Sequence, residues 1–163
     1  MKRTMDAKNA ARVLGAAGAV PFVALSRPVV ERMTVSDEAK RDAGKLQVAY
    51  GASILSFLGA VHWGCVVAPG AAATPSAPAR LAWSVVPSLI AWPTTALPLT
   101  FGAATAAAGL SLAYAVDWRY GRKRALPTWY MRLRLPLTVV AVTSLLATSY
   151  STATHTFRPP NRT

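Results

Sequence analysis

The stretch from Leu46 to Ala68, LQVAYGASILSFLGAVHWGCVVA, decides the fold of this chain. Its 23 residues carry no formal charge at neutral pH. A helix needs about 20 predominantly apolar residues to cross the hydrocarbon core of a bilayer, which is roughly 30 Å thick. The stretch therefore predicts a membrane-spanning helix, and it indicates that the whole chain is an integral membrane protein.

Further apolar segments on both sides of this stretch predict shorter membrane spans, separated by clusters of charge. The fold class that follows is an all-α integral membrane protein with about five short transmembrane helices in a single membrane domain, residues 1–163. The predicted spans are about 10–25, 46–68, 81–97, 101–116 and 135–152. Residues 26–45 are predicted as a polar loop that can hold an amphipathic helix capped by Ser36. Residues 69–80 are predicted as an Ala/Pro linker.

The composition supports a membrane protein over a nucleic-acid-binding one. Apolar residues make up 53% of the chain and charged residues 15%, whereas charged residues are about 25% of a typical globular protein. The net charge of +12 would suit nucleic acid if the basic residues shared one soluble face. They flank the apolar segments instead, which favours membrane lipids with anionic headgroups as partners and argues against nucleic acid.

Lys and Arg are unevenly distributed between the two sides of the five-span arrangement. Eleven lie on the side that holds the N-terminus, the 69–80 linker and the loop before the last span, and seven lie on the other side. Basic residues accumulate on the cytoplasmic or matrix side of a membrane. We therefore expect the N-terminus on that side, and we expect the first span to be retained rather than cleaved as a signal peptide.

Small residues recur along the 46–68 span. At spacings near four residues they let helix backbones approach closely, which is how membrane helices associate. We predict that this set packs against neighbouring helices rather than taking part in catalysis: Gly51, Ala52, Ser56, Gly59 and Ala60.

The segment before the last span combines basic and aromatic side chains. Aromatic rings lie at headgroup depth in membranes, and basic side chains bind phosphate. The segment predicts a binding site for anionic phospholipid, cardiolipin in a mitochondrial membrane; ordinary positive-inside anchoring is the alternative. The predicted lipid-binding residues are Arg122, Lys123, Arg124, Trp129, Tyr130, Arg132 and Arg134. Asp117 is expected to form an interfacial ion pair with Arg119.

His62 is the only histidine within a predicted span, and an ionisable side chain inside a membrane is a functional hypothesis by default. It could act as a proton relay or as a haem or metal ligand, or it could be a neutral imidazole hydrogen-bonded to a neighbouring helix. The chain has one cysteine, Cys65, and no Cys/His spacing typical of a metal site. We therefore predict no catalytic residue, no metal ligand set and no cofactor other than bound phospholipid.

Four segments, taken together, resemble a known family. They occur in the same order in the family of proteins similar to transmembrane protein 69, which is found in bacteria and in eukaryotes with mitochondria. The segments are Gly18-Ala-Val-Pro-Phe22, Tyr50-Gly-Ala-Ser-Ile-Leu-Ser-Phe-Leu-Gly-Ala-Val-His-Trp-Gly64, Arg80-Leu-Ala-Trp-Ser-Val-Val-Pro-Ser-Leu89 and Trp129-Tyr-Met-Arg-Leu-Arg-Leu-Pro-Leu-Thr138. The resemblance implies a five-span protein of the bacterial or mitochondrial inner membrane, and it brings no established activity.

These observations favour a structural function over an enzymatic one. The leading hypothesis is an accessory subunit of a large, hetero-oligomeric inner-membrane complex of the mitochondrial respiratory chain or ATP synthase, in contact with other membrane subunits and anionic lipid. One alternative is a small proton-linked transporter or channel that uses His62. Another is an assembly factor for a respiratory complex.

Overall fold

A computed structural model describes residues 6–68 and 76–156, without the side chains of residues 155 and 156. Within these ranges the chain is helical, with short turns between helices and no β-strand. The helices are α1 (Ala7–Ala24), α2 (Arg27–Val30), α3 (Asp37–Val67), α4 (Ala77–Thr94), α5 (Leu99–Arg122) and α6 (Thr128–Thr156). The predicted all-α class is confirmed.

Among the described residues, three helices are long and apolar enough to cross a membrane: α3, α5 and α6. Helices α1 and α4 have 18 residues each. An 18-residue helix rises about 27 Å, slightly less than the roughly 30 Å of hydrocarbon in a bilayer. The predicted class, a helical membrane protein, is therefore confirmed. The count of about five spans is approximate: three helices are clear spans, and two shorter helices pack beside them.

Helix α3 begins well before the apolar stretch that predicts it. The Ser36 hydroxyl accepts a hydrogen bond from the Ala39 backbone N–H at 3.2 Å, which satisfies one of the free donors of the first turn. Asp37 and Glu38 follow in that turn, where carboxylates are favoured by the helix dipole. The helix expected after Ser36 is present and continues without a break into the apolar stretch.

The predicted Ala/Pro linker is only partly visible. Residues 69–75 lie outside the described residues, and residues 77–80 form the first turn of α4. Helix α4 therefore begins earlier than the predicted span at 81–97.

Helix α3 lies at the centre of the bundle, between α4 and α5, and it also touches α1 and α6. Helix α5 packs along α6, and α1 packs along α6 on the far side. The inward face of α5 is built from small residues, including Ala103, Ala106 and Ala107, and it meets Leu55 and Leu145 in the core. Small side chains on this face let α5 approach both neighbours closely.

Two glycines mark the closest approaches between backbones. A Cβ atom at Gly59 would overlap the carbonyl oxygen of Ser84 on α4, and a Cβ at Gly102 would overlap that of Thr94. Gly51 is also buried, but a Cβ there would make only ordinary contacts, the nearest 3.6 Å away. Helices α3 and α4 can therefore approach as they do only with a glycine at position 59.

The other small residues predicted to pack lie differently. Ala52 and Ser56 are partly buried, and the Ser56 hydroxyl donates to the Ala52 carbonyl at 3.0 Å. Ala60 is exposed on the outside of the bundle. It makes no internal packing contact of the predicted kind, because it lies one position away from the inward-facing Gly59.

Candidate functional site

A buried polar contact joins α3 to α5 near one end of the bundle. His62 is fully buried and Asp117 is 1% exposed. The Nε2 atom of His62 lies 2.9 Å from the Oδ1 atom of Asp117. Since a carboxylate can only accept hydrogen bonds, Nε2 is the donor in this contact. The other ring nitrogen, Nδ1, is buried without a hydrogen-bond partner.

Arg134 of α6 completes an ion pair with the same carboxylate. Its Nε atom donates to Oδ2 of Asp117 at 2.8 Å, and its Nη1 atom donates to the hydroxyl of Thr138 at 3.0 Å. Tyr130 also donates to Oδ2, at 3.3 Å. Arginine is always protonated in proteins, so Asp117 balances its charge. The Nη2 atom of Arg134 is buried without a partner.

A second arginine reaches the cluster from α4. The guanidinium of Arg80, which is 8% exposed, lies over the ring of Tyr120 at 4.8 Å from its centroid. The Tyr120 ring in turn lies 4.9 Å from the His62 ring. Arg80 also donates to the carbonyl of Ala125 at 3.5 Å. We name the set Arg80, His62, Asp117, Tyr120, Tyr130, Arg134 and Thr138 the charged cluster.

The charged cluster lies just inside the ends of the helices that build it. His62 precedes the end of α3 at Val67 by five residues, and Asp117 precedes the end of α5 at Arg122 by five. At 1.5 Å of rise per residue these side chains lie about 8 Å inside the helix ends. The cluster therefore lies near one end of the bundle, and it joins α3, α4, α5 and α6 there.

The chemistry available to the cluster follows from its burial. Charges removed from water are stabilised only by their partners, so breaking one pair leaves an uncompensated buried charge. A histidine beside a carboxylate is also an arrangement that proton relays of membrane proteins use. The described residues contain no group of three or more His, Cys, Asp or Glu side chains that could hold a metal ion.

The predicted lipid-binding residues divide into two groups in the structure. Arg122, Lys123, Arg124, Trp129 and Arg132 are exposed at the end of α5, in the turn or at the start of α6. Tyr130 and Arg134 face inward and contact Asp117. Arg134 is therefore paired with Asp117 and does not lie exposed beside Arg132, since side chains two positions apart on a helix do not share a face.

The expected ion pair between Asp117 and Arg119 is wrong as well, because Arg119 is exposed and the carboxylate turns inward to Arg134. A signal for the true pairing exists in the sequence: Asp117 is the only acidic residue after Asp42 in a strongly basic chain. An isolated acid beside apolar segments is a natural partner for a buried base. Arg80 and Tyr120 carry no comparable signal.

The helical architecture, with three helices long and apolar enough to cross a membrane, defines an α-helical integral membrane protein in contact with lipid. The chain belongs to the family described as protein of unknown function DUF3429, whose model matches residues 7–150. The family resemblance expected from the sequence is thereby confirmed.

Two relatives are similar to most of the chain. It is 38% identical over 146 residues to transmembrane protein 69 of Xenopus tropicalis, and 28% identical over 144 residues to transmembrane protein 69 of Mus musculus. The matches cover 90% and 88% of this chain but 56% and 57% of those proteins. The chain thus spans little more than half the length of the curated relatives. No solved structure matches it.

Proposed function

We propose that this protein is a structural accessory subunit of a large inner-membrane complex, in the mitochondrial respiratory chain or ATP synthase or in a bacterial inner membrane. In this role it packs against neighbouring subunits, contacts anionic lipid through its basic turn, and catalyses no reaction. The N-terminus lies on the matrix or cytoplasmic side.

The observation that carries the proposal is the outward face of the two short helices. On α4, Trp92 is 80% exposed and Leu89 is 62% exposed; on α1, Val20 is 60% exposed. A helix shorter than the hydrocarbon thickness is accommodated by bilayer thinning or by association with neighbours. Tryptophan is also among the residue types enriched in the hot spots at the centres of protein interfaces. These faces suit helices of another subunit.

The charged cluster supports the same function. It ties four helices together through buried ion pairs and ring contacts, which favours a fixed arrangement of the surfaces that a partner would recognise. Most of its polar atoms contact one another, as expected of a packing element; the exceptions are Nδ1 of His62, Nε of Arg80 and Nη2 of Arg134.

The test is native gel electrophoresis with mass spectrometry after mild solubilisation of the source membrane. We expect the protein to comigrate with subunits of a mature complex. Leu89→Ala combined with Trp92→Ala is expected to abolish comigration, whereas Leu146→Ala with Tyr150→Ala, on exposed α6 positions, is the matched control. Migration of the wild-type chain alone would overturn the proposal. Association only with incomplete complexes would indicate the assembly factor instead.

Proton-linked transport is a second candidate, favoured by one specific observation. The Nδ1 atom of His62 has no hydrogen-bond partner although the residue is fully buried beside Asp117. A transported proton or substrate could use that atom. Proton flux into liposomes containing the purified protein, lost in His62→Ala and retained in Trp63→Ala, would establish this function. Equal flux in liposomes without protein would exclude it.

A further inference from the structure

A basic cavity lies where the N-terminal turns of α1 and α6 meet. Its volume is about 630 Å³. Three of its lining residues are cationic: Lys8 and Arg12 from α1, and Arg132 from α6. Among the residues that the structure describes, no carboxylate lines this cavity. The cavity is therefore a concentration of positive charge without an internal counter-charge.

The positions of these cations, near the N-terminal ends of their helices, add to the positive potential of the cavity. Asp6 lies at the N-cap of α1 without a capping hydrogen bond from its side chain, and neither α1 nor α6 has an acidic residue within its first turn. The N-terminal end of a helix carries a partial positive charge, so basic side chains near it are disfavoured unless an anion is close. Three basic side chains against one N-cap carboxylate leave a net positive charge, which a bound anion would balance.

An apolar crevice continues directly from this cavity. It has a volume of about 480 Å³, lies between α1, α3 and α6, and includes Leu14, Gly15, Phe57 and Leu137 in its lining. Trp129 and Leu133 line both the crevice and the basic cavity. The crevice also reaches Arg134, whose Nη2 atom is buried without a partner.

We propose that α1, α3 and α6 hold an anionic phospholipid, with its phosphate between Lys8, Arg12 and Arg132 and an acyl chain in the crevice. The site differs from the basic turn of residues 122–124, which lines neither the basic cavity nor the apolar crevice. It rests on the proposed membrane setting but on no partner subunit.

The combination of cavity and crevice selects the ligand. A free phosphate would fill only the basic part, whereas a phospholipid fills both parts. Trp129, between the two, suits the level of the glycerol backbone, because tryptophan favours the boundary between headgroups and acyl chains. A zwitterionic headgroup would bring its own cation towards three basic side chains, so phosphatidylglycerol or cardiolipin fits better than phosphatidylcholine.

The test is native mass spectrometry of the purified full chain in detergent, titrated separately with phosphatidylglycerol, phosphatidylcholine and inorganic phosphate. We expect one phosphatidylglycerol to bind in preference to phosphatidylcholine, and inorganic phosphate not to displace it. Arg12→Ala with Arg132→Ala should lower the affinity about thirtyfold. Arg32→Ala with Arg41→Ala removes the same charge from exposed positions around the start of α3 and should leave the affinity unchanged.

A crevice variant separates lipid from phosphate binding. Ala19→Trp places a large ring at a partly buried lining position, and it should weaken phosphatidylglycerol binding while the thermal midpoint confirms folding. If Ala19→Trp unfolds the chain, the double variant Arg12→Ala with Arg132→Ala still tests the proposal, because both arginines are exposed. Equal loss of binding in the two double variants, or no preference for the anionic lipid, would overturn the proposal. The lipid titration uses the purified chain without a partner subunit. Failure of the lipid site and failure of the accessory-subunit proposal are therefore distinguishable.

Discussion

At the scale of single residues, the structure depends most on Asp117. One carboxylate serves His62, Arg134 and Tyr130 at once. Inside a membrane protein, where water does not replace a lost partner, an unpaired arginine is costly. His62 was identified from sequence because an intramembrane histidine is conspicuous. Its partner Asp117 was not identified, because the two residues are 55 positions apart and no local sequence pattern links them.

We predict that Asp117→Asn destabilises the protein by about 3–5 kcal/mol, because the neutral amide leaves the buried guanidinium of Arg134 without a counter-charge. The measurement is unfolding in detergent, followed by circular dichroism. Replacing both members of the pair, with Asp117→Leu and Arg134→Met, should recover most of the lost stability. An Asp117→Asn protein as stable as the wild type would contradict the assigned ion pair between Asp117 and Arg134.

At the scale of helices, the interface between α3 and α4 depends on one missing side chain. The backbone of Ser84 lies so near Gly59 that a methyl group has no space. The sequence pattern identified this glycine, since small residues at four-residue spacing indicate close packing. The pattern did not show that Gly59 faces inward and Ala60 outward. Adjacent residues point about 100° apart around a helix, and the pattern does not fix which of them faces the neighbouring helix.

Gly59→Ala is predicted to lower the free energy of unfolding by about 1–3 kcal/mol, the usual cost of forcing extra volume into a packed interface. Gly64→Ala provides the matched control on the same helix, because a Cβ at Gly64 would meet nothing within 4 Å. Alanine is also the better helix former, so this control should be neutral or slightly stabilising. Thermal midpoints of both variants in one detergent decide the comparison, and equal shifts would argue against the close α3–α4 approach.

At the scale of the whole molecule, hydropathy and charge predicted the class and the approximate positions of the long helices. The helix ends were predicted less well, because polar turns such as the start of α3 extend a helix without adding to its apolar pattern. The contact of Arg80 with Tyr120 could not be predicted either. It depends on how α4 and α5 pack, which no single segment encodes.

The orientation of the whole bundle can be tested with single cysteines. In a Cys65→Ala background, we predict that Lys40→Cys reacts with an impermeant thiol reagent applied from the periplasm or intermembrane space. Lys123→Cys should react only after the membrane is permeabilised, because basic loops are retained inside. Both positions lie in polar segments, at the start of α3 and just after α5. Labelling in the reverse order would show the opposite orientation.

The short turn between α5 and α6 has a consequence for how the protein enters the membrane. Only five residues, 123–127, separate the helix that carries Asp117 from the helix that carries Arg134. Inserted singly, a helix that carries either charge into the hydrocarbon is penalised, by about 2.5–3.5 kcal/mol for a charge at the helix centre and by less nearer a helix end, where these two residues lie. Inserted as a hairpin, the two helices bring a neutral pair into the lipid together. Biosynthesis would then handle α5 and α6 as one unit, and a longer turn would separate two charges that need to arrive paired.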